Sequence, residues 1–278
     1  MLELMIVLIT LGIVQGVAEF LPVSSSGHLV LFEHIPWFKS TMLTMGHSSE
    51  LFVNVAMHVA SLMAVLVFLR KDIIRLSAGS IKEIFGMQER KGELRAVIYI
   101  LAASIPAGVA GILLHDHFAR LFNNPFSVCI MLCVNGLILL STKIIPINSR
   151  NIEETGMYRS LWIGVCQALA IMPGISRSGA TITGGMLAGL DPEQSARFSF
   201  LMAIPVIAGA GLLEAIPLFE TGIRMEVLVP LLVAMTVTFI VAMASLALLF
   251  VMVKRIRIDV FGYYTIALGL TGILIITL

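Results

Sequence analysis

Between Val227 and Val253 the chain runs for 27 residues without one charged side chain. A helix needs roughly 20 predominantly apolar residues to cross a bilayer. Five more stretches carry at most one charge each: Leu51–Leu69, Ala96–Leu114, Phe126–Ile145, Phe198–Phe219 and Phe261–Leu278. Only 13% of the 278 residues are charged and 58% are hydrophobic, whereas soluble domains carry about a quarter charged residues. The expectation is an all-α integral membrane protein with six transmembrane helices. Pro106 lies inside the second span and is expected to kink it. A net charge of +1 gives no reason to expect a nucleic-acid or acidic partner. Cys129, Cys133 and Cys166 all sit in apolar runs, with no second Cys/His pair to complete a zinc pattern, and read as buried small side chains. The apolar start, Leu4–Val14, lacks a basic leader and an Ala-x-Ala site, so it reads as a retained segment.

Two apolar segments are interrupted. Leu2–Leu21 is broken by Gly12, Gln15, Gly16 and Glu19, then stopped by Pro22, and Gly27–Ile35 beyond it is too short to span. The pattern returns as Arg159–Met172, a polar turn Pro173–Thr181, and the short piece Ile182–Leu190. Each reads as a re-entrant helical hairpin, whose irregular backbone is tolerated only where protein or water surrounds it. An offset of 152 residues places Gly12 on Gly164, Gln15 on Gln167, Ala18 on Ala170 and Ser24-Ser25-Ser26-Gly27 on Ser176-Arg177-Ser178-Gly179, without gaps. The chain therefore reads as one membrane domain made of two repeats, about 1–146 and 147–278.

Basic residues give the orientation, because cytoplasmic loops collect Lys and Arg. Arg70 to Arg95 holds seven of them. If that loop is cytoplasmic, fourteen of the eighteen Lys/Arg fall inside, Lys39, Arg120 and Arg224 fall outside, and Arg177 lies within the membrane. The first hairpin then dips in from outside and the second from the cytoplasm, with three crossings after each. This is an inverted-topology repeat, and such folds bring broken helices together near the midplane.

The two turns bring Gln15, Glu19, Ser24, Ser25, Ser26 and His28 together with Ser176, Arg177, Ser178 and Thr181. Ionisable groups at membrane depth mark functional sites. Arg177 offers a planar fork suited to phosphate oxygens, the serines and Thr181 offer hydroxyls, and two helix N-termini favour an anion. A lipid could keep its chain in the bilayer and bring only a phosphorylated head group to this point. Ser25 could attack phosphorus with His28 as base across one helical turn, or the imidazole itself could attack. Glu19 could orient His28 or, with Gln15 four residues earlier, hold a divalent cation through oxygen. His34, His47, His115 and His117 read as solvated or interfacial, and Glu214 as reaching water. Asn54, His58, Asn135 and Gln167 read as interhelical hydrogen-bonding groups.

Gln15-Gly-Val-Ala-Glu19 running into Phe20-Leu-Pro-Val-Ser-Ser-Ser-Gly-His28, followed far downstream by Pro173-Gly-Ile-Ser-Arg177-Ser-Gly-Ala-Thr181, resembles the undecaprenyl-diphosphate phosphatase family, also called bacitracin-resistance proteins. The resemblance covers essentially the whole chain. It implies hydrolysis of undecaprenyl diphosphate to undecaprenyl phosphate and inorganic phosphate at the bacterial plasma membrane, with a site facing the periplasm or exterior. Glu19, Ser25, His28 and Arg177 match the family's functional residues, with Ser24, Ser176 and Thr181 in support. It also implies a divalent cation, magnesium or calcium, although many members have Glu where this chain has Gln15. The type-2 phosphatidate phosphatase pattern needs a histidine after the arginine, and all six histidines here precede Phe118. A transporter or flippase of a phosphorylated polyprenyl lipid is the alternative, since inverted repeats are typical of transporters. Small residues at Gly108, Gly111, Gly184 and Gly185 permit close helix packing, within one chain or in a homodimer.

Overall fold

The computed structural model describes residues 2–45, 47–87, 92–114, 121, 122, 124–215 and 225–277. Arg90, Lys91, His115, His117, Arg120 and Arg224, and the side chains of His47 and Glu214, lie outside the described part. The described chain is all-helical, and its one β contact is an isolated bridge between Arg150 and Leu190. In order, the helices are α1 (Leu2–Ala18), α2 (Ser25–Glu33), α3 (Pro36–Met45), α4 (His47–Phe68), α5 (Arg70–Ile84) and α6 (Glu93–Leu113). They continue as α7 (Pro125–Ser141), α8 (Met157–Leu169), α9 (Arg177–Leu187), α10 (Pro192–Ala215), α11 (Met225–Lys254) and α12 (Asp259–Thr277).

Each of the six expected spans has a helix on it. Among the described residues four are long and apolar enough to cross a membrane, within α6, α10, α11 and α12. A fifth results if Phe52–Phe68 and Arg70–Ile84, bent by 70°, count as one span. α7 has 17 residues and stops at Ser141, four short of the expected Ile145. The Ser141 and Thr142 hydroxyls donate back to the Ile138 and Leu139 carbonyls at 2.6 Å, satisfying the frayed end, and Pro146 follows shortly after. α6 runs through Pro106 as one continuous helix. Arg70–Ile84, read from sequence as loop, is the helix α5, and Pro36–Met45 forms α3, which the sequence reading did not foresee.

α1 lies along α11, α8 along α6 and α12 along α7, while α10 packs against both α4 and α6. Close approach depends on small residues. Gly12 of α1 faces the Ala234 carbonyl of α11, and Gly164 of α8 faces the Ala103 carbonyl of α6. Gly184 and Gly185 pack inside the chain against Cys166 and Ser195, whereas Gly108 meets open space. The cysteines are free thiols, with Cys129 and Cys166 buried. The main core runs from the first turn to the far end of the bundle through tilted ring pairs: Phe20–Phe200 at 5.7 Å, Phe200–Phe250 at 6.2 Å and Phe250–Phe68 at 5.3 Å.

Candidate functional site

α1 yields to a turn because Pro22 has no N–H to continue the ladder. Ser24 then takes a left-handed backbone, φ 71° and ψ 97°, which costs a non-glycine residue on the order of 1 kcal/mol or more. Its hydroxyl accepts from the Gly27 amide at 3.1 Å, so α2 opens at Ser25. The second turn repeats the device: the Ser176 hydroxyl accepts from Gly179 N at 3.2 Å, and α9 opens at Arg177. The polar residues 177–181, read from sequence as turn, are therefore the first turn of a helix. Paired hydroxyls match as well, Ser24–Ser26 at 3.3 Å and Ser176–Ser178 at 3.1 Å.

The turns touch. A Cβ at Gly27 would sit 3.3 Å from the Gly174 Cα, and one at Gly174 (φ 101°) would fall 2.5 Å from the Val128 carbonyl oxygen. Glycine alone satisfies both the backbone angle and the space at Gly174. Asn135 of α7, wholly buried, straps the turns together. Its amide donates to the Pro22 carbonyl at 3.1 Å and its side-chain oxygen accepts from Ser176 N at 2.9 Å.

At the junction, Glu19 Oε2 accepts from the Ser25 hydroxyl at 2.8 Å and from the Gln15 amide at 3.2 Å, while Oε1 accepts from Arg177 Nη2 at 2.9 Å. The ion pair is mostly removed from solvent, and the two extra donors offset part of its desolvation cost. The guanidinium lies over the Phe200 ring, 5.7 Å from its centroid. Arg177 Nη1 is buried and has no hydrogen-bond partner. The Arg177 residue helps line a cavity of about 180 Å³, with Glu19, Ser24, Ser25, Ser26 and Ser176 completing the polar wall.

Four sequence-predicted residues stand outside that wall. Gln15 reaches the site only through Glu19. Ser178 is buried behind the second turn, and the buried Thr181 hydroxyl bonds the Arg177 carbonyl at 2.7 Å and Ser199 at 2.6 Å. His28 turns away from Ser25. Its Nδ1 lies 2.8 Å from the Ser24 carbonyl, which can only accept, so Nδ1 carries the proton; Nε2 meets the Tyr264 hydroxyl of α12 at 2.7 Å. The two rings stack at 5.7 Å and 8°. Ser25 and His28 share no hydrogen bond, and the partner of Ser25 is Glu19. Sequence reasoning missed Tyr264, and it took Asn135 for an ordinary interhelical group. His58 bonds the Asn54 carbonyl of its own helix, and both polar atoms of Gln167 are buried without partners.

These residues do not fit a resident cation. Both Glu19 oxygens are taken by Arg177, Ser25 and Gln15, and the Gln15 amide faces the carboxylate with its donor side. Among the described residues no group of three or more His, Cys, Asp or Glu could hold a metal ion.

The fold defines a multi-pass helical membrane protein in which Arg177, Glu19 and four serines line one cavity. The chain belongs to the bacitracin resistance protein BacA family, whose model matches residues 8–271. It is 37% identical over 273 residues to the undecaprenyl-diphosphatase of Rubrobacter xylanophilus, covering 97% of each chain. To the undecaprenyl-diphosphatase of Desulfosudis oleivorans it is 39% identical over 269 residues, covering 94% of each. The same name belongs to a Methanosphaera stadtmanae relative, 35% identical over 277 residues and 96% of each chain.

Proposed function

We propose that the protein hydrolyses undecaprenyl diphosphate to undecaprenyl phosphate and inorganic phosphate, with the terminal phosphate bound in the cavity between the two turns. The observation that carries this reading is Arg177, a permanent cation that lines the cavity and whose Nη1 has no hydrogen-bond partner. Leaving such a group unpaired is costly, and a phosphate oxygen satisfies it in the fork geometry arginine favours. The first amides of α2 and of α9 have no intrahelical acceptor, so two positive helix ends converge on the same point.

Ser25 is the nucleophile in this reading and Glu19 its base, because the hydroxyl proton already points at Glu19 Oε2. Ser25 Oγ attacks the terminal phosphorus, its proton passes to Glu19, and the bond to the bridging oxygen breaks, releasing undecaprenyl phosphate. Water then attacks the phosphoserine, giving up a proton as the serine oxygen recovers one, and inorganic phosphate leaves. His28 and Tyr264 stand one turn further along α2, toward α12, and serve the lipid-side phosphate. Ser24, Ser26 and Ser176 hold the phosphate; Ser178 and Thr181 support the second turn from behind. Magnesium or calcium belongs here to the diphosphate of the substrate, whose oxygens would be its ligands.

The halves, about 1–146 and 147–278, are inverted repeats in this reading. Support comes from the matched serine caps and from Gly12 and Gly164, repeat equivalents that each pack on a span of the other half. The basic residues favour a site open to the exterior face. Gly108 leaves the α6 surface open to a second copy of the chain.

The test is phosphate release from undecaprenyl diphosphate by detergent-purified protein. Release by wild type and its loss in Arg177→Ala support the reading. Lipid bound by well-folded wild type without any release would overturn it in favour of a carrier.

A further inference from the structure

α5 follows α4 directly but turns away from it by 70°. Its 15 residues divide into three stripes. Leu76, Gly79 and Ser80 are buried on the inner face, against α6. Both acids turn inward too. Asp72 is bonded to Arg197 of α10, and Glu83 accepts from the Gly92 and Glu93 amides at 2.8 and 3.0 Å, closing the start of α6.

The opposite face is apolar and open. Ile74, Ile81 and Phe85, at spacings that align them along one side of a helix, are 65%, 54% and 69% exposed. Lys71, Arg75 and Lys82 form an exposed stripe beside them. Arg75 pairs with Glu153 at 2.7 Å, while Lys71 and Lys82 have no ion pair among the described residues. With both acids engaged inward, the outward charge of this helix is positive. A soluble environment would hide such an apolar stripe, and a bilayer core would exclude the lysines beside it. The combination fits the boundary between the two, where an amphipathic helix lies with its apolar face at the acyl chains and its cations at the head groups.

We propose that α5 is an interfacial helix that binds anionic phospholipid, with Ile74, Ile81 and Phe85 at the acyl boundary and Lys71 and Lys82 on head-group phosphates. The bend after Leu69 is what carries the chain from a span into this plane. Charge complementarity selects the occupant: a zwitterionic surface satisfies the apolar stripe equally well but gives the lysines no net attraction. Each lysine adds about a fivefold preference for anionic lipid, a preference that weakens as salt screens it.

The experiment places a single tryptophan at Ile81 in full-length protein, with Trp37 and Trp162 replaced by Phe, reconstituted in vesicles. Quenching is compared between brominated phosphatidylglycerol and brominated phosphatidylcholine. The expected result is quenching by both lipids, stronger for phosphatidylglycerol, with that preference falling several-fold in Lys71→Gln/Lys82→Gln and at high salt. A second probe, Phe85→Trp, covers the case in which the Ile81 variant fails to fold. Quenching equal for the two lipids, or a preference unchanged by the lysine substitutions, overturns the anionic selectivity. No quenching by either lipid overturns the interfacial placement, with red-shifted emission identifying water on this face and blue-shifted emission another protein surface.

Discussion

The two turns are built alike and loaded differently. Both open a short helix with a serine cap on a glycine amide two residues into that helix, and both pair that cap with a serine two positions on. At the offset of 152 residues Ser25 stands on Arg177, Glu19 on Ile171, His28 on Ala180 and Gln15 on Gln167. In the proposed mechanism the opening residue of each short helix carries one half of the chemistry, a hydroxyl from the first and a permanent cation from the second. Gln15 has Glu19 as its partner one turn on, whereas Gln167 has Ile171 there, and both its polar atoms are orphaned. The two turns share one local scaffold, and the chemistry proposed for the site lies where they differ.

The largest effects are expected at the paired opening positions. Ser25→Ala should abolish turnover, on the order of 10⁴-fold or more, because a nucleophile acts with its base as a unit. Arg177→Ala should cost roughly 10³-fold, and Arg177→Lys somewhat less, since lysine keeps the charge but not the fork. Activity in these variants is to be read beside their thermal unfolding, as each leaves part of a buried network unpaired. Asn135→Leu orphans the Pro22 carbonyl and the Ser176 amide, so a stability loss of about 2–4 kcal/mol is expected in denaturation, together with a lower rate as the turns drift apart. Tyr264→Phe keeps the stack on His28 and removes one hydrogen bond. A fall of about tenfold in kcat at unchanged Tm is expected, whereas a purely packing role would leave the rate untouched. The two equivalent glutamines should give the smallest effects. Gln167→Leu should be neutral or stabilising by about 1 kcal/mol at full activity, while Gln15→Leu, which strips a donor from Glu19, should lower activity.

Much of this was legible in the sequence, because apolar runs and a serine-rich break report on membrane helices and their interruptions locally. Glu19, Ser25 and Arg177 could be read as one site because the repeat offset predicts that the two turns meet. The remainder depends on distances along the chain that no local pattern encodes. Asn135 is 113 residues from Pro22, and Tyr264 is 236 residues from His28. Ser25 pairs with Glu19 instead of His28 because Glu19 reaches its hydroxyl across the turn, while the imidazole is held by the Ser24 carbonyl and the Tyr264 hydroxyl. From sequence alone α5 reads as loop because its charge conceals two apolar faces, one toward the bundle and one away from it. The start of α9 is hidden for a related reason: polar residues suit the first turn of a helix as well as they suit a loop.

The central claim is that the first turn supplies the nucleophile and the second binds the phosphate it attacks. Phosphate release from undecaprenyl diphosphate by Ser25→Ala, measured beside His28→Ala and wild type under the same conditions, tests it most directly. The account predicts that Ser25→Ala falls to background while His28→Ala is slowed but active. A Ser25→Ala protein that turns over near the wild-type rate while His28→Ala is inactive would contradict it, and would move the attack to the imidazole.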